Sequence, residues 1–464
     1  MIRRRPAVAL AAGALLMVAC GTRADFSAQP VARSTQVIEE VVEGGRVVGT
    51  KALEPGTTTR TITTRALPDL KEGSGIQNGV IKLGGLFPMS GGLSALGVPP
   101  AKAARAYFQS VNDAGGINGL KIDFEICDDR ADPNQSAACT DRLVNGGIFA
   151  MGPSFTPFSP NVVPILERKG VPWLGYDGIN LEGFESDLVV TVGAPIQTMA
   201  HALLPYWYEQ TTERLGREPT NIGAVVLDVP PARTYVEEAE ETICPALGCR
   251  IAQKHFVTYF TLAEYGQICA SMRAESVDAV WVITDPASAV KLLVQCRESR
   301  YEPPGGFLGQ HGIYLDLTVE QSGAYVDGTI ANSALLPASV DAAAIREMKS
   351  TVARYESDVD WGYFTVLGYA SARMTVDVLR EALKIDPKLS RASVLQAAAR
   401  ITNYQCHGLC RDVNLAPPAA VGGGNHHVWM VRARFDRSSE DQWVLDGGPV
   451  DAWRSETWPR PGRP

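Results

Sequence analysis

Short apolar runs alternate with amphipathic stretches from Val80 to Arg300, and this alternation is the dominant pattern of the chain. Val80-Ile81-Lys82-Leu83-Gly84-Gly85-Leu86-Phe87 reads as a buried strand. A Gly/Pro-rich loop follows, then a helix beginning near Pro99-Pro100, since proline suits a first helical turn whose N–H is unpaired anyway. The series continues as strand 121–127, helix 132–145, strand 148–152, helix 159–169 and strand 171–174. A second series starts near Pro195 with a helix, then strand 222–227, helix 234–247, strand 250–256, helix 264–274, strand 279–284 and helix 287–300. Val/Ile-rich strands separated by helices are the mark of parallel sheets covered on both faces, so the expected class is α/β with two lobes. After about Thr329 long helices are expected over 340–355, 364–383 and 390–400, and the tail, 427–434 with 442–445, reads as a hairpin. Helices this late in the chain must pack on a sheet already built.

Ahead of Val80 the texture differs. Arg3, Arg4 and Arg5 precede an apolar run, 7–18, that ends in Met17-Val18-Ala19-Cys20. The run is too short for a lasting membrane span and has the flanks of a secretory signal, expected over 1–19. The cysteine after Ala19 resembles the lipobox of bacterial lipoproteins, with Met17 where leucine is usual. That resemblance implies that Cys20 is lipidated and becomes the first mature residue; the alternative is an ordinary cleaved signal with a chance cysteine. Two acyl chains suffice for stable anchoring, so the expected location is outside the cytoplasmic membrane, at the cell surface or in the periplasm. Residues 20–78 read as a flexible tether, because stretches such as Thr57-Thr58-Thr59-Arg60-Thr61 cannot anchor a core. Such a tether reaches on the order of 40 Å. Within it, two valine-rich runs between Val37 and Val48 read as a small hairpin.

Composition narrows the partners. A chain of 464 residues with 45% hydrophobic content can bury more than one domain. Lys+Arg 43 against Asp+Glu 51 leaves a net charge of -8 and no basic block, which argues against nucleic acid. Nine cysteines less Cys20 leave an even number in an exported chain, which reads as disulfides. Sequential pairing is favoured: Cys127 with Cys139, Cys244 with Cys249, Cys269 with Cys296, Cys406 with Cys410. The first would link a strand end to the following helix, and the third would tie two neighbouring helices of one βαβ unit.

Several motifs lie at strand ends: Gly85-Leu86-Phe87-Pro88-Met89-Ser90-Gly91, Val111-Asn112-Asp113-Ala114-Gly115-Gly116-Ile117-Asn118-Gly119, Gly152-Pro153-Ser154 and Gly170-Val171-Pro172-Trp173-Leu174. In this order, from about Val80 to Pro449, the chain resembles the solute-binding lipoproteins of bacterial ABC transporters, the branched-chain amino acid or type 1 periplasmic binding class. The resemblance implies two Rossmann-like lobes joined by a three-crossing hinge. By family order lobe one covers 79–193 and 333–415, and lobe two covers 194–332 and 416–464. Ligand would sit between them beyond the carboxyl ends of the strands, where helix N-termini offer unpaired N–H groups.

The resemblance also nominates residues. Ser90 and Gly91 lie on the first cleft loop, as ligand contacts or as a turn that only reverses the chain. Ser154, Phe155 and Thr156 stand where relatives bind a ligand carboxylate; the same hydroxyls could instead cap a helix. Tyr176 and Asp177 replace the family's usual hydroxyl-rich segment. That departure argues against a standard α-amino acid and offers Asp177 to an amine, or leaves it an exposed loop carboxylate. Asp285, Gln310 and His311 follow strands of lobe two, but the acidic residue that relatives carry near Gln310-His311 is missing. Asp228-Val229-Pro230-Pro231 stands where relatives have Tyr-Gly. Tyr363, Phe364 and Tyr369 wall the pocket or, more in keeping with their helical spacing, fill the core.

No nucleophile elbow, phosphate loop or His-Glu-x-x-His is present, so no catalysis and no cofactor are expected. Cys406-His407-x-x-Cys410 with His426-His427 has zinc-like spacing, but a disulfide is the better reading in an exported chain, and no metal is expected. The expected protein is a monomer that captures a small polar ligand, an amino acid, amide or relative, and delivers it to an ABC permease. A sensor or surface-interaction lipoprotein of the same fold is the alternative.

Overall fold

The computed structural model describes residues 38–43, 46–52, 75–258, 265–418, 424–436 and 442–452. The chain divides into two units, 1–63 with 460–464, and 64–459. The expected signal segment, Cys20 and much of the expected tether lie outside the described residues. In the first unit β1 (Ile38–Glu43) and β2 (Arg46–Ala52) pair antiparallel, with a bulge between Val41 and Val42.

The second unit is built on two sheets. The first takes β3 (Ile76–Gln77), β4 (Val80–Phe87), β5 (Lys121–Asp128), β6 (Ala150–Met151), β7 (Trp173–Leu174) and β8 (Val189–Val190). Its helices are α1 (Ser94–Asp113), α2 (Pro133–Asn145), α3 (Ser159–Lys169) and α4 (Leu181–Glu185). Strand order is β5-β4-β6-β7-β8, parallel throughout, with β3 antiparallel to the start of β4. The second sheet takes β9 (Asn221–Leu227), β10 (Arg250–Val257), β11 (Ala279–Ile283), β12 (Phe307–Gly309), β13 (Ile330–Ser333), β14 (His427–Ala433) and β15 (Trp443–Asp451). Its order is β10-β9-β11-β12-β13-β14-β15, parallel as far as β13 and antiparallel beyond. Around it lie α5 (Ile196–Leu215), α6 (Pro230–Glu238), α7 (Cys244–Leu247), α8 (Tyr265–Ala274), α9 (Pro286–Glu298) and α10 (Asp316–Ser322). In both sheets the second parallel strand lies on one side of the first and the third on the other, so each has a switch point where loops part.

Helix ends follow local chemistry. Asp132 caps α2 by accepting from the N–H groups of Asn134 and Gln135, with Pro133 in the first turn. Gly170 closes α3 in the left-handed conformation after Arg168 and Lys169. Two starts differ from expectation. Helix α1 begins at Ser94, with Pro99 and Pro100 inside it, because the Leu93 carbonyl already accepts from Leu96 and Gly97. The prolines therefore release the carbonyls of Ala95 and Leu96 from the ladder. Helix α6 likewise starts at Pro230 rather than 234, and a π-turn over Ala239–Ile243 carries it into α7.

The late helices α11 (Ala343–Tyr355), α12 (Tyr363–Ile385) and α13 (Arg391–Arg400) return to the first sheet's side. Helix α12 runs against α1 so closely that a Cβ on Gly368 would lie 2.3 Å from the Pro100 carbonyl oxygen. Arg391, buried, ties α13 to the sheet by donating to the carbonyls of Phe149 (2.7 Å), Ile148 (2.8 Å) and Gly170 (3.2 Å). Where the chain passes between the sheets, the buried Asn425 side chain donates to Val192 (3.3 Å) and Ala334 (2.5 Å), so all three crossing segments meet at one amide. Disulfides join Cys127 to Cys139, Cys244 to Cys249, Cys269 to Cys296 and Cys406 to Cys410.

Candidate functional site

A cavity, partly open to solvent, lies between the two sheets at their switch points. From the first sheet's side it is walled by Leu93 and Leu96 after β4, Phe155 and Pro157 after β6, and Ile179 after β7, with Phe364 from α12. From the second come Leu227 at the end of β9, Ile283 to Asp285 at the end of β11, and Gln310 to Gly312 after β12. Pro231, Ala232 and Tyr235 of α6 and Ile196 of α5 complete it. The lining is largely apolar, and its polar groups cluster on one side, at the loops after β11 and β12.

The nominated residues divide sharply. Ser90 is exposed, and its hydroxyl donates to Asp128 Oδ2 at 2.6 Å, away from the cavity. Gly91 is exposed at φ +84, a turn position that favours glycine. Ser154 accepts from the Leu86 N–H and donates to the Gly152 carbonyl, both at 3.1 Å, so its hydroxyl holds the end of the sheet. Thr156 is buried against Ser136, hydroxyl to hydroxyl at 3.2 Å. Of the Ser154-Phe155-Thr156 segment, Phe155 alone lines the cavity, its ring 4.5 Å from that of Phe364.

Tyr176 is fully buried in a second apolar cluster with Trp173 and Phe184, and its hydroxyl bridges Ser159 and the backbone of Asn180. Asp177, expected either free or exposed, is neither: it is 1% exposed and spent on backbone. Its Oδ2 accepts from the Thr156 N–H (2.7 Å) and its Oδ1 from the Ile179 N–H (3.0 Å). Burial pushes its carboxyl up to about 8, against the lowering by those two bonds. Asp228, on the loop after β9, is exposed and paired with Arg233.

Asp285, Gln310 and His311 all line the cavity. Asp285 caps α9, its Oδ1 accepting from the Ser288 N–H at 3.0 Å. Its Oδ2 is the one buried carboxylate oxygen among the described residues with no hydrogen-bond partner. Gln310 is self-satisfied, donating to the Thr284 carbonyl (3.3 Å) and accepting from the Gly312 N–H (2.6 Å). His311 packs among Tyr235, Tyr363 and Phe364, and burial pushes its imidazole down to about 3, so it is neutral near pH 7. Of the aromatic residues on α12, Phe364 lines the cavity, Tyr363 stands behind it against His311, and Tyr369 packs on Tyr107 in the core.

Sequence reasoning missed the apolar wall: Leu93, Leu96, Ile179, Ile196 and Tyr235. The available signal was position, since the first three of these apolar side chains fall on or near the loops that leave β4 and β7. In the zinc-like motif both thiols are consumed by the Cys406–Cys410 bond, and His407 pairs with Asp377 at 2.8 Å. His426 and His427 stand elsewhere, beside Asp451.

Residues 80–439 match the periplasmic binding protein family. Leu/Ile/Val-binding protein homolog 7 of Brucella abortus (strain 2308) is 26% identical over 254 residues, 53% of this chain and 62% of that protein. The alignment thus spans less than two thirds of that relative's length. A fatty acid ABC transporter substrate-binding protein from Thermomonospora curvata superposes with TM-score 0.71 at 19% identity, covering 84% of this chain and 98% of that one. A branched chain amino acid ABC transporter structure from Thermus thermophilus with bound valine gives 0.70 at 16% identity, covering 80% and 96%. With a match that runs through both sheets and the cavity between them, the chain belongs to the type 1 periplasmic binding protein family.

Proposed function

We propose that this protein is the extracytoplasmic solute-binding component of an ABC importer, capturing a small organic molecule between two lobes and delivering it to a permease. The observation that carries the reading is the cavity bounded by strand ends of both sheets at once, since a ligand there bridges the lobes and favours their closed arrangement. A few kcal/mol of differential affinity is enough to shift such an equilibrium. Asn425, joining the three crossing segments, is the natural pivot. The lobes are 79–193 with 333–415 and 194–332 with 416–464, carried as a monomer by a Cys20 lipid anchor and the 20–78 tether. Family membership supports a binding rather than catalytic role, and no described helix is long and apolar enough to cross a membrane.

The test is twofold. Thermal-shift screening of the full chain, disulfides intact, against amino acids, amines, carboxylates, amides and sugars should give a saturable rise with one class, because binding to the native state alone stabilises it. Deleting the gene should abolish uptake of that same class. Saturable binding without any uptake defect would move the protein to the sensing reading.

A further inference from the structure

We propose that the solute held in this cavity is an apolar molecule carrying a protonated amine and no carboxylate, with the amine on Oδ2 of Asp285. This rests on the solute-capture reading above and names its substrate class.

Asp285 is 2% exposed and lines the cavity. One oxygen is committed to capping α9, and the other has no partner. A buried carboxylate oxygen left unpaired is costly, and a donor bearing positive charge is the partner that repays it best. The other polar groups beside it are already satisfied: the Thr284 hydroxyl donates to the Asp285 carbonyl, and both ends of the Gln310 amide are bonded. Among the described residues Asp285 is the one acidic side chain in the lining, and so the anchor on this side for a cationic group.

The rest of the lining says what else the ligand contains. Leu93, Leu96, Ile179 and Ile196 offer nothing to a polar body. Phe155, Tyr235 and Phe364 add aromatic faces, which attract a desolvated cation. Among the described residues no Lys or Arg lines the cavity, and neutral His311 brings no positive charge. The hydroxyls of Ser154 and Thr156, where a carboxylate would be sought, are turned into the protein's own network. A ligand carboxylate would meet one fixed negative charge and no countercharge. Zwitterionic amino acids and fatty acids are thereby disfavoured together.

The experiment holds the carbon skeleton constant and changes the head group. Isothermal titration of the full chain with isopentylamine, leucine and isovalerate, and with 2-phenylethylamine, phenylalanine and phenylacetate, compares amine, zwitterion and acid at two sizes. The amine of at least one series should bind at least tenfold more tightly than its zwitterion, with no detectable binding of its acid. Asp285→Asn, which keeps the helix cap, should weaken that amine by tenfold or more at unchanged melting temperature. Asp285→Ser, also a capping residue, should do the same if the amide distorts the site. An acid or zwitterion binding more tightly than its amine overturns the assignment while leaving solute capture standing. Equal affinity of both variants and the parent for the amine also overturns it. If neither these probes nor the broader screen gives saturable binding, solute capture itself falls, and this assignment with it.

Discussion

The two sides of the cavity are built from equivalent pieces, loops leaving the ends of parallel strands at a switch point, yet they use their polar groups in opposite ways. After β6 and β7, Ser154, Thr156 and Asp177 form a closed network in which each group bonds to backbone or to a buried neighbour. After β11, Asp285 leaves one buried carboxylate oxygen unpaired. The same residue types in equivalent places can thus stiffen a loop or stand ready for a ligand, and the hydrogen-bond inventory tells them apart. The comparison leads us to read the first side as scaffold with an apolar wall and the second as the source of polar recognition.

The largest effect should come from Asp177→Ala. It strips the acceptor from two buried N–H groups, those of Thr156 and Ile179. At about 1–3 kcal/mol for each orphaned donor, stability should fall by about 2–6 kcal/mol in denaturant unfolding. Binding by the fraction that remains folded should change little. The opposite outcome, lost binding at unchanged stability, would break the comparison by making Asp177 a recognition group.

The same residue makes a pH prediction. Its folded carboxyl titrates near 8, above the ordinary aspartate range, so the native state holds a proton that the unfolded chain has released. Between about pH 4 and 8 the native state binds more protons, and this group's contribution to stability falls as pH rises, by up to about 1.4 kcal/mol per pH unit. Below about pH 4 both states are protonated and the contribution is fully present. Buried Asp129, also raised by burial, acts in the same direction. Asp177→Asn should flatten the dependence while lowering the baseline, because an amide accepts at only one end. A parent protein whose stability is unchanged over this range would mean that Asp177 is solvated and the first side looser than described.

Much of this architecture was legible from the chain. Period and composition mark β4, β9 and β11, because their runs of Val, Ile and Leu have no other way to be buried, and β5 is marked by alternation of polar and apolar residues. Helices α2 and α9 announce themselves by an aspartate followed by proline. The start of α1 was not legible, since two prolines are good first-turn residues and only the turn at Leu93 shows that the helix has already begun. Within the site, the sequence could offer hydroxyls and carboxylates on the correct loops but not their orientation. Whether Ser154 faces ligand or the Leu86 N–H depends on how β4 and β6 register, which is a property of the sheet. Leu93, Leu96 and Ile179 look like core residues in one dimension, because a ligand cavity in this fold is a part of the core left unfilled.

Asn425→Ala tests the pivot between the two sides. The variant removes donors to the Val192 and Ala334 carbonyls and the acceptor for the His427 N–H. A destabilisation of about 1–3 kcal/mol is expected, together with a larger radius of gyration in solution scattering without ligand. An unchanged radius would mean that the crossing segments are held by packing alone.

The smallest effect should come from Ser90→Ala, and it sharpens the comparison for that reason. Ser90 is nominated by its place in the glycine-rich loop after β4, on the cleft side of the first sheet. In the structure its hydroxyl turns to Asp128, which also accepts from the N–H groups of Met89, Ser90 and Arg130. Removing one exposed donor from a carboxylate that keeps three others should cost no more than about 0.5 kcal/mol. Ligand affinity should stay within twofold of the parent. A tenfold loss would place a hydroxyl from the first side on the ligand after all. It would also mean that the loop swings inward on closure, so that recognition is shared between the two lobes.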